Sequence, residues 1–210
     1  MRRTKEEALE TRALILESAL DIFSAKNFEN TSITEIAQRA GLSKGAVYWH
    51  FKNKNDLLVQ LVESICRNGE DDLRRVFELA DSDACLRTYY KKALTKAFEN
   101  HRYQKIHKMM LRRRYEWPED VQNKVRRLIT DSSERDREMV ELLIVRGQKN
   151  GKIRKDVSAK AVAVLISSIF FGLSVMQLSD KLPKEFPGYT DILFDAFDRE
   201  LSANGYLITL

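Results

Sequence analysis

Apolar residues recur at steps of three and four along almost the whole chain, and no stretch alternates in the manner of a strand. Between Arg3 and Lys26, Leu9, Ala13, Leu16, Leu20 and Phe23 draw one helical face, which Ile15, Ala19 and Ile22 widen. Ser32 stands before Ile33 with Glu35 three positions on, a capping box that opens a second helix, and Gly41 stops it. Its inward positions are Ile33, Ile36, Ala37 and Ala40. Ser43 caps a third short helix, Lys44 to about His50. The polar run Asn53-Lys54-Asn55-Asp56 reads as a break, and from Leu57 a long helical pattern runs toward Leu79.

The second half continues in the same period. A helix is expected from about Ala84 to His101, with Tyr89, Leu94 and Phe98 inward. Another holds Ile106, Met109 and Met110 and ends near Trp117-Pro118, because a residue before proline leaves the helical region. Val121 to Lys149 reads as one long helix closed by Asn150-Gly151. Ala159 to about Gln177 is apolar on nearly every side, which predicts a buried helix. Pro183, Pro187 and Gly188 mark the clearest loop, and Thr190 to Ala203 is a last amphipathic helix. The expected fold is all-α, with about nine helices.

Composition narrows the class. Of the 210 residues 32% are charged, and three prolines and eight glycines suit a helix-rich folded chain rather than a disordered one. Cys66 and Cys85 match no metal spacing and favour a reducing compartment. Met1 to Glu10 is charged and no apolar export signal follows, so a cytoplasmic protein without membrane association is expected. The net charge of +5 is uneven: residues 87–127 hold thirteen Lys/Arg against four Asp/Glu. No phosphate loop, dinucleotide fingerprint, nucleophile elbow or zinc-protease motif is present. No catalytic residue, metal site or cofactor is therefore expected.

The stretch that carries chemistry is Thr31 to Lys54, TSITEIAQRAGLSKGAVYWHFKNK. Two short helices around a glycine, with Ala37 and Ala40 small enough for close crossing, meet the requirements of a helix-turn-helix. Ser43 starts the second helix so that its first residues point outward, where a recognition helix enters a major groove. Lys44 can reach a base edge or phosphate, while Gly45 and Ala46 leave room for close approach. Tyr48, Trp49 and His50, with Lys54 just beyond, are donors suited to phosphate and sugar contact. Other small three-helix domains share the bare pattern, with the aromatics then serving as core.

The wording of the motif is more particular. SKGAVYWHFKNK resembles the signature of TetR-family transcriptional repressors. RRTKEEALETR, ITEIAQRAGLSKGAVYWHFKNKNDL and the GKIRKDVSAKAV junction resemble its AcrR-like multidrug-responsive branch. The strong match covers about residues 3–60. The resemblance implies a helix-turn-helix DNA-binding domain at 1–54 and a ligand-binding and dimerisation domain at 55–210. Lys44 would read a base, and Gly45 and Ala46 would touch base edges or thymine methyls. Tyr48, His50 and Lys54 would bind phosphates, and Trp49 would pack on the sugar-phosphate backbone. Thr31, Ser32 and Ser43 would present hydroxyl or backbone N–H groups to DNA, with Arg2, Arg3 and Lys5 near an adjacent groove or phosphate.

The resemblance also implies a homodimer on a palindromic operator, joined through Ala163 to Leu178 and Ile192 to Leu201. It implies release by a small hydrophobic or amphipathic inducer and control of efflux-pump genes. Candidate inducer contacts are Phe98, Met109, Met110, Arg113, Trp117, Phe170, Phe171, Met176 and Gln177. Basic residues around them, His101, Lys105, His107, Lys108 and Arg112 to Arg114, point to an anionic inducer or to a solvated basic face. The alternative function is a DNA-binding regulator, or a nucleoid-type binder, without a small-molecule ligand.

Overall fold

The computed structural model describes residues 4–79, 87, 90–91, 100–112, 114–179, 181–183 and 185–203, with backbone only at Leu79, Arg112, Gln177, Leu178, Pro187, Gly188 and Thr190. The described residues form eight α-helices, numbered here α1 Lys5–Ala25, α2 Ile33–Arg39, α3 Lys44–His50, α4 Lys54–Leu79, α5 His101–His107, α6 Glu119–Lys149, α7 Ala159–Leu178 and α8 Phe186–Leu201. A π-helical turn, Lys108–Arg112, and a 3₁₀ turn, Arg114–Glu116, follow α5. The all-α expectation holds. Of the helix expected at 84–101, Arg87, Tyr90 and Lys91 are helical and the rest lies outside the described residues.

Helix boundaries follow local capping more closely than the apolar pattern suggests. Thr4 caps α1 through the N–H of Glu7, whose carboxylate returns to the Thr4 N–H at 2.9 Å. This projects the first turns outward, so Leu9 is 60% exposed and the buried face begins at Thr11. The polar run after α3 is a helix start rather than a break. Asn53 Oδ1 accepts the Asp56 N–H at 2.9 Å, and Asp56 accepts the Lys52 N–H at 2.8 Å. Pro187 and Gly188, expected in a loop, lie in the first turn of α8, where proline's missing N–H costs nothing.

Packing divides the chain into two compact units. The first comprises residues 1–67 and 101–130, and the second residues 68–100 and 131–210. In the first, Ile15, Leu20, Ile36, Val47, Phe51, Leu57, Leu58 and Leu61 are all within 1% of full burial and share one core. Ile106, Met109, Trp117, Val121 and Val125 extend that core.

In the second unit Leu73, Tyr90, Val140, Leu143, Ile144, Ile153, Val162 and Phe194 form the core. The α6–α7 connection is tied to the end of α8 by Arg154 N–H to Leu201 O and Ala203 N–H to Lys152 O. Gly147 permits this, since a Cβ there would lie 2.6 Å from Ile153 Cδ1.

The expected burial of α7 is corrected by the structure. Over Ala159–Met176 only 22% of the residues are buried, although the segment is long and apolar enough to cross a membrane by length and composition. Val164, Leu165, Phe171 and Met176 are exposed, as is Ile192 on α8. The described chain leaves much of the apolar surface of α7 uncovered.

Candidate nucleic-acid interface

The α2–α3 turn is fixed by three local devices. Gly41 takes φ +66°, a left-handed conformation that a side chain would strain. Around it, Leu42 N–H reaches Ala37 O at 2.9 Å and Gly41 N–H reaches Gln38 O at 3.1 Å, closing the end of α2. Ser43 Oγ then accepts the Ala46 N–H at 3.1 Å and opens α3.

This register decides which side chains of α3 face out. Val47 is fully buried and Phe51, just past the helix, is 1% exposed; both anchor the helix to the first unit's core. The opposite side presents Lys44 and Gly45, with Ala46 half-buried. Tyr48 is 47% and Trp49 69% exposed. Two large aromatics left in water on a seven-residue helix are not core residues. Lys44 Nζ lies 5.8 Å from the Tyr48 ring, and the His50 and Trp49 rings meet edge-on at 4.5 Å. His50 is half-buried at the helix end.

Two residues expected at phosphates are otherwise engaged. Thr31 is 4% exposed and its hydroxyl donates to Asn27 O at 3.1 Å. Lys54 Nζ donates to Phe28 O at 2.6 Å and Thr31 O at 2.8 Å, with Glu29 O at 3.4 Å, and sits 4.3 Å from the Phe28 ring centroid. Burial holds its pKa below the usual lysine value, opposed by Glu29. Lys54 thus clamps the loop that delivers Ser32, and Ser32 Oγ caps α2 through the Glu35 N–H at 3.1 Å. The sequence reading missed Lys52, which is exposed two residues beyond α3. Only its position beside the aromatic tip could have marked it.

The α1 helix is held to its neighbours by ion pairs. Asp21 accepts from Arg39 of α2 at 2.6 Å and from Lys105 of α5 at 2.6 Å. Burial would raise the Asp21 pKa, but hydrogen bonds from Lys105 and Arg39 outweigh it and hold the carboxyl below its ordinary value. Glu17 pairs with Arg102 at 2.6 Å, and Lys26 pairs with Glu35.

The expected inducer contacts are divided between the two units. Met109 is fully buried and Trp117 is 4% exposed, both in the first unit's core, with Met110 packed against it. Phe170 is half-buried in the second unit, 5.0 Å from the Tyr90 ring. Phe171 and Met176 face outward. Phe98, Arg113 and the Gln177 side chain lie outside the described residues, as do Arg2 and Arg3.

The second unit holds a group that the sequence did not single out. Asp136 Oδ1 is buried and accepts no hydrogen bond among the described residues. Burial and the nearby Glu70 push its carboxyl up to about 6, against the pull of Arg135 and Arg137. Glu70 is itself held by Arg135 at 2.6 Å.

Residues 15–61 match the family model of bacterial regulatory proteins, tetR family. The chain matches that family over this segment, which runs from the middle of α1 into α4. Among curated relatives, it is 44% identical over 81 residues to the HTH-type transcriptional regulator TtgR of Pseudomonas putida, covering 39% of this chain and 38% of TtgR. It is 52% identical over 62 residues to AcrR of Shigella flexneri, covering 30% of this chain and 29% of AcrR. These matches thus span well under half of those relatives. Over nearly the whole length the fold is similar to that of SmeT in complex with triclosan, with a TM-score of 0.73 and 24% identity over 89% of this chain and 91% of SmeT. SmeT is the repressor of the Stenotrophomonas maltophilia multidrug efflux pump SmeDEF.

Proposed function

We propose that the protein is a ligand-responsive transcriptional repressor that binds a palindromic operator as a homodimer. The observation that carries this reading is α3, seated by Val47 and Phe51 with Lys44, Tyr48 and Trp49 left in water. Residues 1–54 serve as the reading domain and 55–210 as the regulatory and dimerisation domain. Lys44 reads a base edge while Gly45 and Ala46 allow the helix to approach. Tyr48, Trp49 and His50 contact phosphate and sugar, together with the exposed Lys52. Ser32 and Ser43 offer helix N-termini to phosphate, whereas Thr31 and Lys54 act by shaping the loop that presents them.

One seven-residue helix makes too few base contacts for genomic selectivity, so two copies on an inverted repeat are required. The uncovered apolar faces of α7 and α8, with Leu165, Phe171 and Ile192, supply the seam for a second copy. On this reading the membrane-length α7 serves a protein interface and the protein works in the cytoplasm.

The inducer is a small hydrophobic or amphipathic molecule taken up by the second unit, and efflux-pump genes are the expected targets; SmeT, whose fold is similar, forms a complex with triclosan. Of the basic residues that suggest an anionic inducer, His101, Lys105 and Lys108 belong to the first unit, and the second contains the buried Asp136. Selection of bound duplexes from a random pool tests the reading. Enrichment of one inverted repeat supports it. Uniform, salt-sensitive retention of all sequences would favour the nucleoid-type binder instead.

A further inference from the structure

Three of the basic residues that first suggested an anionic inducer, His101, Lys105 and Lys108, line a cleft of about 530 Å³ within the first unit. Its walls come from the C-terminal half of α1, the end of α2, and α5 with the following turn. Arg39, His101, Gln104, Lys105 and Lys108 line it over a floor that includes Ile22, and Asp21 stands among them. Three permanent cations therefore face one carboxylate. Asp21 divides its oxygens between Lys105 and Arg39, so it partly neutralises two of them. Among the described residues, no ion pair or side-chain hydrogen bond engages Lys108 or His101. A concave site with surplus positive charge, planar guanidinium and ammonium donors and an amide beside them has the make-up of an anion receptor.

We propose that this cleft binds a compact multivalent anion carrying phosphate or carboxylate groups, with Lys108 and His101 as its free donors and Asp21 as the internal group that competes for Arg39 and Lys105. The site lies wholly within the first unit. No α3 residue lines it, so it is separate from the DNA-reading surface. Because its cations come from α2, α5 and the turn after α5, and its carboxylate from α1, an occupant adds a bridge among these elements of the first unit.

The test is calorimetric titration of the full-length protein, without DNA and at low ionic strength, with pyrophosphate in one arm and citrate in the other. Saturable binding of one anion per chain is expected, and the arm that binds more tightly identifies phosphate or carboxylate as the preferred group. The double variant Lys108→Gln, His101→Gln, both at solvent-facing positions of the cleft, should lose about tenfold in affinity, as for removal of one charge-assisted hydrogen bond. Asp21→Asn should bind the anion more tightly than the parent, because the competing carboxylate is gone. No saturable heat in either arm, unchanged affinity in the double variant, or weaker binding by Asp21→Asn would each overturn the proposal. Loss of binding in Lys44→Ala would also overturn it, by placing the anion on the reading surface. Since no operator enters the titration, failure here leaves the repressor reading untouched, and failure of operator selection leaves this site untouched.

Discussion

The α2–α3 segment of the first unit and the α6–α8 segment of the second differ in how completely each satisfies itself. In the reading unit, every large apolar residue of α2 and α3 that does not belong to the recognition face is buried, and capping groups close both ends of the turn. Lys54 completes the loop before α2 with three carbonyl acceptors. In the regulatory unit the reverse holds. Leu165, Phe171 and Ile192 lie in water, and a buried carboxylate, Asp136, has an oxygen without a hydrogen bond among the described residues. A finished head presents a fixed surface to a rigid target. The apolar surface and charge left in the second unit are what the proposed second copy and ligand would engage.

The sharpest way to break this contrast is to truncate one aromatic in each unit. Phe51→Ala, at 1% exposure, should cost about 3–5 kcal/mol of stability, read by denaturant unfolding at fixed protein concentration. Phe171→Glu, at a position 65% exposed, should leave the secondary structure intact and instead shift the protein from dimer to monomer in sedimentation. If Phe171→Glu unfolded the chain without a monomer stage, the seam would be misplaced.

Next in size is the buried acid. Asp136 titrates near 6 in the fold against 3.8 unfolded, so the folded state holds its proton more tightly. Its ionisation therefore destabilises the fold: the penalty is absent below pH 3.8, grows as pH rises through about 6 and is constant above. Asp136→Asn should raise stability by about 1–2 kcal/mol at pH 7.5 and by nothing near pH 3.5. A gain that is the same at both pH values would show that ionisation is not the cause.

Effects on the reading surface are comparable or smaller. Lys54→Met should weaken binding to all DNA sequences alike and lower the melting temperature, because it releases the loop at Phe28 to Thr31 rather than a base contact. A change confined to sequence preference would restore Lys54 to the interface. Ser43→Ala should cost about 1 kcal/mol through the lost cap of α3, measured by thermal unfolding.

Much of the head was legible because its determinants are local. Ser32, Gly41 and Ser43 each act within three residues, so caps and turn can be read from spacing alone. Lys54 could not be read that way: its acceptors lie 23 to 26 residues away, and only the folded loop brings carbonyls to the ammonium. Thr31 failed for a similar reason, since its hydroxyl turns back to Asn27 inside the loop. In the body, apolarity on all sides of α7 resembled burial, because composition records that a face must be covered but not by which chain. Met109 and Trp117 suggest ligand contacts by their chemistry and are buried in the first unit's core, and periodicity cannot separate those two uses.

The central claim is that Lys44, carried outward on α3, reads one base pair in each half of an operator. It is tested most directly by measuring affinity for a selected operator substituted one base pair at a time, with the parent protein and with Lys44→Ala. The account predicts that Lys44→Ala loses about 1–3 kcal/mol on the intact operator and becomes indifferent to one symmetry-related pair of positions, keeping its discrimination elsewhere. Uniform loss at every position, or discrimination left unchanged, would contradict it.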